Sequence, residues 1–174
     1  MESSWTTKDE VLALIKDFSG VRLDIGCGEN CQPGFIGLDK RPLPGVKVIH
    51  DLEVFPYPFP NDCCIAVVGS HIIEHINPAN FGMIRLMDEL WRVMKPGGKL
   101  AFSYPYAGSS YYWQDPTHIN GCNQATWQYF DPEKPLYAVY KPKPWKIEMN
   151  AYREGGMGEV VLEKILAEAI SAKK

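Results

Sequence analysis

The sequence predicts an α/β fold, a doubly wound and mostly parallel sheet with a C-terminal antiparallel hairpin and a terminal helix. Five short apolar runs alternate with turns, and a long helical stripe from Asn80 to Met94 lies between the fourth and fifth runs. A strand, a helix and a strand in that order imply a right-handed parallel crossover. With 174 residues, 45% apolar and 22% charged, residues 1–174 are expected to form a single domain.

The first elements follow from the spacing of the apolar side chains. Lys8 to Phe18 carries apolar residues at helical spacing, with Thr7 as the cap and Gly20 as the stop. Short apolar runs bounded by polar residues, glycine or proline then predict five strands. These strands are Val21 to Ile25, Phe35 to Leu38, Val46 to His50, Ile65 to Ser70 and Lys99 to Ser103.

After Ser103 the chain becomes rich in aromatic residues, glycine and serine, with a short helix expected around Gln124 to Tyr129. Loops this long in a compact domain are usually functional. Leu136 to Tyr140 and Trp145 to Met149 flank a proline-rich turn, so they predict a hairpin. Gly158 to Ala172 has apolar residues along one side and predicts a last helix.

Charge and composition narrow the classes of partner. The net charge of −3 and the pI near 5.8 give no electrostatic reason to expect nucleic acid or an anionic membrane. No apolar run approaches the roughly 20 residues that span a bilayer, and the first ten residues lack the features of a signal peptide. We therefore expect a cytoplasmic protein with a small neutral or cationic ligand. The five cysteines contain no C-x-x-C pair and are expected to be reduced.

The segment from His71 to His75 has the H-x-x-E-H spacing of an inverted zinc-peptidase motif. Two histidines four residues apart face the same side only in a helix. A predicted strand ends near Ser70, and Pro78 biases the residue before it away from helical geometry, so about one turn fits between them. We therefore predict that this segment holds no metal, and that Glu74 and His75 brace the loop by hydrogen bonds.

Two glycines, Gly26 and Gly28, follow the first strand and allow the backbone to approach a ligand closely. The dinucleotide fingerprint requires a third glycine where Cys31 stands, so nicotinamide or flavin binding is the weaker interpretation. Asp39, at the end of the second strand, can accept both hydroxyls of a ribose. Asp51, after the third strand, can accept from an adenine amino group.

In this order and spacing, the segments resemble the class I S-adenosylmethionine-dependent methyltransferases and, within them, the small type-11 methyltransferase domains. The resemblance covers Val21 to Tyr106 and rests on LDIGCG, GLD, HDLEVFPYPFPND, SHIIEHI and LWRVMKPGGKLAFSYP. It implies a Rossmann-like fold, S-adenosylmethionine as the cofactor and methyl transfer as the activity. The cofactor-binding residues that it implies are Asp24, Gly26, Cys27, Gly28, Asp39, Lys40, Asp51, Leu52, Ser70 and His71.

The resemblance also assigns parts of the cofactor to these residues. It implies that Asp24 and the two glycines surround the methionine part, and that Asp39 binds the ribose. Asp51 and Leu52 are expected at the adenine, with Ser70 and His71 at the site of methyl transfer. The chain departs from the family between the first two strands, because Glu29 to Gly34 is too short for the helix that usually lies there.

Methyl transfer from a sulfonium is an in-line displacement that depends mainly on positioning, so a general base is optional. His71 and His118 are the candidate catalytic bases, because a neutral imidazole accepts a proton near pH 7; both also have a structural interpretation. We expect the loop from Tyr104 to Tyr129 to cover the acceptor pocket and to become ordered when cofactor and acceptor bind. Its aromatic residues either cover the pocket or pack the loop onto the sheet. They are Tyr104, Tyr106, Tyr111, Tyr112 and Trp113.

The acceptor class follows from two absences in the sequence. Methyltransferases that act on amino groups of DNA bases carry an N/D/S-P-P-Y/F tetrad where this chain has Gly69-Ser70-His71-Ile72, and no Pro-Cys pair is present. We therefore expect a small-molecule or metabolite-like acceptor with an O or N nucleophile. The alternative is a non-catalytic Rossmann-like module for cofactor binding or for interaction, with the C-terminal helix docking on a protein partner or a second copy.

Overall fold

The computed structural model describes residues 5–16 and 19–166. Their strands form one seven-stranded sheet. The strands are β1 (Val21–Ile25), β2 (Ile36–Asp39), β3 (Val46–Ile49), β4 (Cys64–Ser70), β5 (Met94–Pro105), β6 (Trp145–Arg153) and β7 (Met157–Lys164). The order across the sheet is β3-β2-β1-β4-β5-β7-β6, in which β1 to β5 are parallel and β7 is antiparallel to both of its neighbours. The predicted doubly wound, mostly parallel sheet is confirmed.

The first helix, α1 (Lys8–Ile15), begins at the predicted cap. The Thr7 side chain accepts from the Glu10 N–H while Glu10 accepts from the Thr7 N–H, a reciprocal pair that satisfies two N-terminal donors. Phe18, the predicted last residue of this helix, lies outside the described residues.

Helix α2 (Gly82–Val93) connects β4 to β5 and buries Leu86, Met87, Leu90 and Val93. It starts two residues later than predicted, because Asn80 and Phe81 have left-handed φ values of 52° and 59°. The described residues also form two short helices and three 3-10 turns. The helices, both after α2, are α3 (Ser110–Trp113) and α4 (Tyr137–Tyr140). The 3-10 turns are Ile73–His75, Ala79–Phe81 and Thr126–Tyr129.

The C-terminal antiparallel hairpin is confirmed, and the predicted strand Trp145 to Met149 lies within β6, but the other two predicted elements are wrong. Tyr137–Tyr140 is helical, and the hairpin pairs β6 with β7 across a turn at Glu154 to Gly156. The predicted helix from Gly158 to Ala172 is a strand through Lys164, and its residues after 166 lie outside the described part. Alternate residues of β7 are buried, which is the period of a strand on a sheet and not of a helix.

An aromatic cluster attaches the segment after β5 to the sheet. Phe102 and Tyr104 of β5 pack against Trp127, which also contacts Phe130. The buried Trp127 Nε1–H donates to the Tyr104 hydroxyl at 2.7 Å. Because each such aromatic pair adds about 0.5–1.5 kcal/mol beyond area burial, this cluster holds the long loop in place.

The connection between β1 and β2 contains no helix in residues 26–35, all of which the structure describes, as the short spacing predicts. Among the described residues, no helix has the length and apolar character needed to cross a membrane.

Candidate functional site

The order of the strands reverses at β1, which lies between β2 and β4. Open α/β sheets bind ligands at such a switch point, outside the carboxyl ends of the strands. The predicted site residues lie at these ends because they follow β1, β2, β3 and β4 in the sequence.

The glycine turn after β1 requires its first glycine. Gly26 has φ +64°, and its N–H donates to the Leu38 carbonyl at 2.7 Å. A Cβ at this position would lie 2.6 Å from the side chain of Ile72, in the loop after β4. Any side chain at 26 would therefore push apart the two loops that form the site.

The carboxylate of Asp39 is buried and already hydrogen-bonded. Its Oδ2 accepts from the Gly28 N–H at 3.0 Å, and its Oδ1 accepts from the Arg41 backbone N–H at 2.9 Å and Nε–H at 3.2 Å. Burial alone would raise the pKa of Asp39, but these donors and the Arg41 charge together hold it below its ordinary value. Asp39 is therefore ionised at neutral pH.

Asp24 is buried one strand away, at the end of β1. Its Oδ2 accepts from the Gln32 N–H at 2.7 Å and so closes the short loop between β1 and β2. Burial raises the pKa of Asp24, and the bond from Gln32 only partly opposes that effect.

A cavity of about 460 Å³ brings together six of the predicted cofactor residues. They are Gly26, Asp39, Lys40, Asp51, Leu52 and His71. Residues that sequence reasoning did not assign to the cofactor complete the wall: Arg41, His50, Glu53, Ile72, His75, Ile76 and Thr117. No local sequence signal marks the last of these, because Thr117 arrives from the loop after β5.

A second cavity, of about 550 Å³, holds most of the other predicted residues and shares Gly26 with the first. Asp24, Cys27 and Ser70 line it, together with residues of β5 and β7. Gly28 lines neither cavity and instead donates to Asp39. The predicted cofactor residues are thus divided between two cavities that meet at the glycine turn.

His71 stands at the end of β4 in a left-handed conformation with φ 53°. Its N–H donates to the Ser103 carbonyl, and 57% of its side chain is exposed. Partial burial of the imidazole is the main cause that lowers the pKa of His71, and the nearby His118 and His75 lower it further. The imidazole is therefore neutral near pH 7 and able to accept a proton.

His118 and the loop aromatics do not line either cavity. The side chain of His118 is only 8% exposed and packs against His75, with ring centroids 4.9 Å apart. Tyr104 and Tyr112 are buried, whereas Trp113 is 76% exposed. In this arrangement the two buried tyrosines pack the loop, and none of the loop aromatics lines either cavity.

Glu74, between the two histidines of the H-x-x-E-H segment, is 1% exposed. Burial raises the pKa of its carboxyl to about 7. The backbone carbonyl of Glu74 accepts from two N–H groups of the 115–120 loop, so this segment does brace the loop, through its main chain.

No family model and no curated protein sequence matches the chain. Solved structures do match it over most of its length. A SAM-dependent methyltransferase from Archaeoglobus fulgidus is similar with TM-score 0.61 and 17% identity, covering 91% of this chain and 95% of that one. The complex between the Haloferax volcanii Trm112 methyltransferase activator and the putative methyltransferase gives TM-score 0.60, 12% identity and coverage of 90% and 89%.

A third similar structure is a 16S rRNA (adenine(1408)-N(1))-methyltransferase with cosubstrate SAM from Catenulisporales acidiphilia. Its TM-score is 0.59 and its identity 13%, with 92% of each chain covered. At these identities the likeness concerns the fold.

Proposed function

We propose that this chain, which has the fold of the class I S-adenosylmethionine-dependent methyltransferases, binds S-adenosylmethionine and transfers its methyl group to a small-molecule or metabolite-like acceptor. One observation carries the proposal: the cavity at the strand ends places the carboxylates of Asp39 and Asp51 beside the Gly26 turn. The order of these groups along the sheet is the order that the cofactor requires.

The residues present fit this cofactor. A volume of about 460 Å³ lies within the range of about 300–1,000 Å³ typical of small-molecule sites. Oxygen acceptors at Asp39 and Asp51 suit hydroxyl and amino donors, and the Gly26 turn leaves room for close backbone approach. The carboxylate of Asp39, ionised at neutral pH, also favours a ligand that carries positive charge.

The cofactor supplies an electrophilic methyl group on a sulfonium. The chain's own part is to position an O or N nucleophile in line with that group and to exclude water. His71 is the residue that we assign to the acceptor's proton. Its imidazole lines the 460 Å³ cavity and is 57% exposed, so a ring nitrogen is accessible to receive that proton.

Two observations favour a small acceptor over nucleic acid. The net charge of −3 does not attract a polyanion, and acidic Glu53 lies in the cavity wall. We expect no salt-dependent binding of a 16S rRNA fragment at physiological ionic strength. Tight RNA binding that weakens steeply with salt would instead indicate that the acceptor is RNA and not a small molecule.

Calorimetric titration with S-adenosylmethionine and S-adenosylhomocysteine tests the cofactor. We expect both to bind the wild type, and Asp39→Asn to weaken binding by more than about 1.5 kcal/mol, or about tenfold, through lost charge-assisted hydrogen bonds. Glu154→Gln, in the exposed β6–β7 turn, is the matched control. Thermal denaturation must show that Asp39→Asn is folded; equal affinity in that folded variant would remove Asp39 from the site.

A non-catalytic module is the second candidate, and the bonds between Arg41 and Asp39 favour it. Arg41 occupies Oδ1, where a ribose hydroxyl would bind. If the wild type binds neither cofactor form and Arg41→Ala also fails to bind, the module is the better description. If Arg41→Ala binds more tightly than the wild type, Arg41 competes with the ribose and the enzyme proposal stands.

A further inference from the structure

The H-x-x-E-H turn and the 115–120 loop are joined by main-chain hydrogen bonds. The Glu74 carbonyl accepts from the Ile119 N–H at 2.9 Å and from the Asn120 N–H at 3.0 Å. The Asn120 side chain donates to the Ile73 carbonyl at 2.8 Å. These bonds bring His118 beside Glu74 and His75, although it is distant in the sequence.

His75 and His118 each have one ring nitrogen oriented by the backbone. His118 Nδ1 lies 2.7 Å from the Tyr112 carbonyl oxygen, and His75 Nδ1 lies 3.3 Å from the Thr117 carbonyl oxygen and 3.2 Å from its hydroxyl. Because a carbonyl only accepts, the proton is on Nδ1 in each ring. Each Nε2 therefore carries a free lone pair. Metal-binding histidines are typically oriented in this way.

The carboxylate of Glu74 lacks the donors that a buried carboxylate needs. Within the part of the chain that the structure describes, neither oxygen accepts a hydrogen bond, although the residue is 1% exposed. The ring of His71 approaches Oε1 at 3.3 Å without hydrogen-bond geometry. A buried carboxylate left in this state is destabilising, so it requires either a proton or a cation.

We propose that Glu74, His75 and His118 bind a zinc ion. One ligand atom from each residue lies within 4.8 Å of the other two, so small movements suffice to close them on one ion. Two histidines and one glutamate are a known zinc ligand set that leaves a fourth position for water or another ligand. The carboxylate of Asp115, with Oδ2 3.8 Å from His118 Nε2, adds negative charge to the site.

Zinc at Glu74 and His75 departs from the prediction that the H-x-x-E-H segment holds no metal, although His71 and His75 still do not form a helical pair. Only one 3-10 turn, Ile73–His75, separates them, and His71 lies outside it with positive φ. The proposed site uses His118 in place of His71. The prediction from the sequence considered only the two histidines of the H-x-x-E-H segment. His75 and Thr117 line the 460 Å³ cavity, so the ion would lie at its wall. The proposal is independent of methyltransferase activity.

Titration of chelator-treated protein with ZnCl₂ alone is the first test. We expect one equivalent to bind, and binding to weaken at least tenfold in His118→Ala and in the nearly isosteric Glu74→Gln. Glu154→Gln removes an exposed carboxylate from the β6–β7 turn and should bind as the wild type does. Mg²⁺ in excess should not compete, because it prefers oxygen ligands. No stoichiometric zinc in the wild type, or full affinity in both site variants, would overturn the proposal.

A measurement on the wild type avoids any folding defect in the variants. When ZnCl₂ is added, nitrogen NMR of the imidazoles should show the Nε2 signals of His75 and His118 shifting. His50 is the internal control, since its Nε2 is hydrogen-bonded to the Val54 carbonyl at 2.9 Å and should not move. Unchanged Nε2 signals at His75 and His118 in the presence of bound zinc would place the ion elsewhere and reject the site.

Discussion

Gly26 and Gly34 both have positive φ, +64° and +81°, but only Gly26 faces a close neighbour. Alanine at either position costs roughly 1–2 kcal/mol from the backbone conformation. At position 26 the new Cβ would also lie 2.6 Å from Ile72, which adds roughly 1–3 kcal/mol of overpacking. We predict that urea denaturation shows Gly26→Ala to be less stable than Gly34→Ala by this overpacking cost of roughly 1–3 kcal/mol.

A double variant separates strain from clash. Ile72→Ala removes the obstructing side chain, so combining it with Gly26→Ala should cost less than the sum of the two single changes. Strict additivity would contradict the contact between the two loops.

The pKa of Asp39 gives a pH dependence with a definite sign. Its folded pKa is below the unfolded value of about 3.9, so its contribution to stability is present above about pH 4 and is lost as pH falls through the folded pKa. We predict that Asp39→Asn is less stable than the wild type at about pH 6, and that the difference shrinks at about pH 3. Urea denaturation at both pH values measures this. A difference that grows on acidification would contradict the lowered pKa.

At the residue scale, the sequence predicted which side chains reach the strand ends but not their partners. Asp39 ends β2 and Gly26 directly follows β1, so local pattern sufficed to place them. The bond from the Gly28 N–H to Asp39, and the unpaired carboxylate of Glu74, depend on how separate loops meet. No periodicity in the sequence encodes such contacts.

Strand β7 depends on a buried lysine at its end. Lys164 is 2% exposed, its Nζ donates to Asp62 Oδ1 at 2.6 Å and to the Met94 carbonyl at 2.7 Å, and it lies 3.9 Å from the Trp91 ring centroid. We predict that Lys164→Met destabilises the protein by about 1–3 kcal/mol, because it leaves a buried carbonyl without its donor.

Lys146 of the neighbouring β6 is the matched control. It pairs with Glu148 at the surface, where 47% of its side chain is exposed, so Lys146→Met should leave the urea midpoint nearly unchanged. Equal effects of the two substitutions in urea denaturation would contradict the buried role of Lys164.

At the element scale, the parallel strands and β6 were predictable and β7 was not. Each of β1 to β4, and the predicted Lys99 to Ser103 part of β5, is a short apolar run next to a turn, which is a local signal; β5 itself begins earlier, at Met94. In β7 the residues Val160, Val161 and Leu162 satisfy both a helical stripe and a strand. The strand forms because β5 and β6 offer hydrogen-bond partners on both sides, which only the complete sheet provides. The glycine turn before β7 was the available signal.

The loop after β5 is fixed to the site rather than free above it. Because the Ile119 and Asn120 amides donate to the Glu74 carbonyl, we predict slow hydrogen exchange at both in the absence of any ligand. Asn120→Ala, which removes the bond to the Ile73 carbonyl, should speed exchange at Ile119 by roughly threefold to tenfold. Asn61→Ala, at the distant Arg92 contact, should not. Fast exchange that slows only with cofactor and acceptor analogue would restore the expected mobile lid.

For the whole molecule, the sequence predicted the doubly wound sheet because the order of apolar runs, with a helical stripe between the fourth and fifth, implies parallel crossovers. It did not predict the cluster of Glu74, His75 and His118, which joins the loop after β4 to the loop after β5. Contacts of this kind follow from tertiary packing alone.

The strand order has a consequence for the chain as it is synthesised. β5 lies inside the sheet because β7, the last strand within the described residues, pairs with its other edge. While residues 106–156 leave the ribosome, at about 5–20 residues per second, one edge of β5 stays without its partner for roughly 3–10 s. An unpaired edge is a template for pairing with other chains. Until the β6–β7 hairpin forms, the nascent sheet therefore exposes an edge of β5 that can pair with other chains.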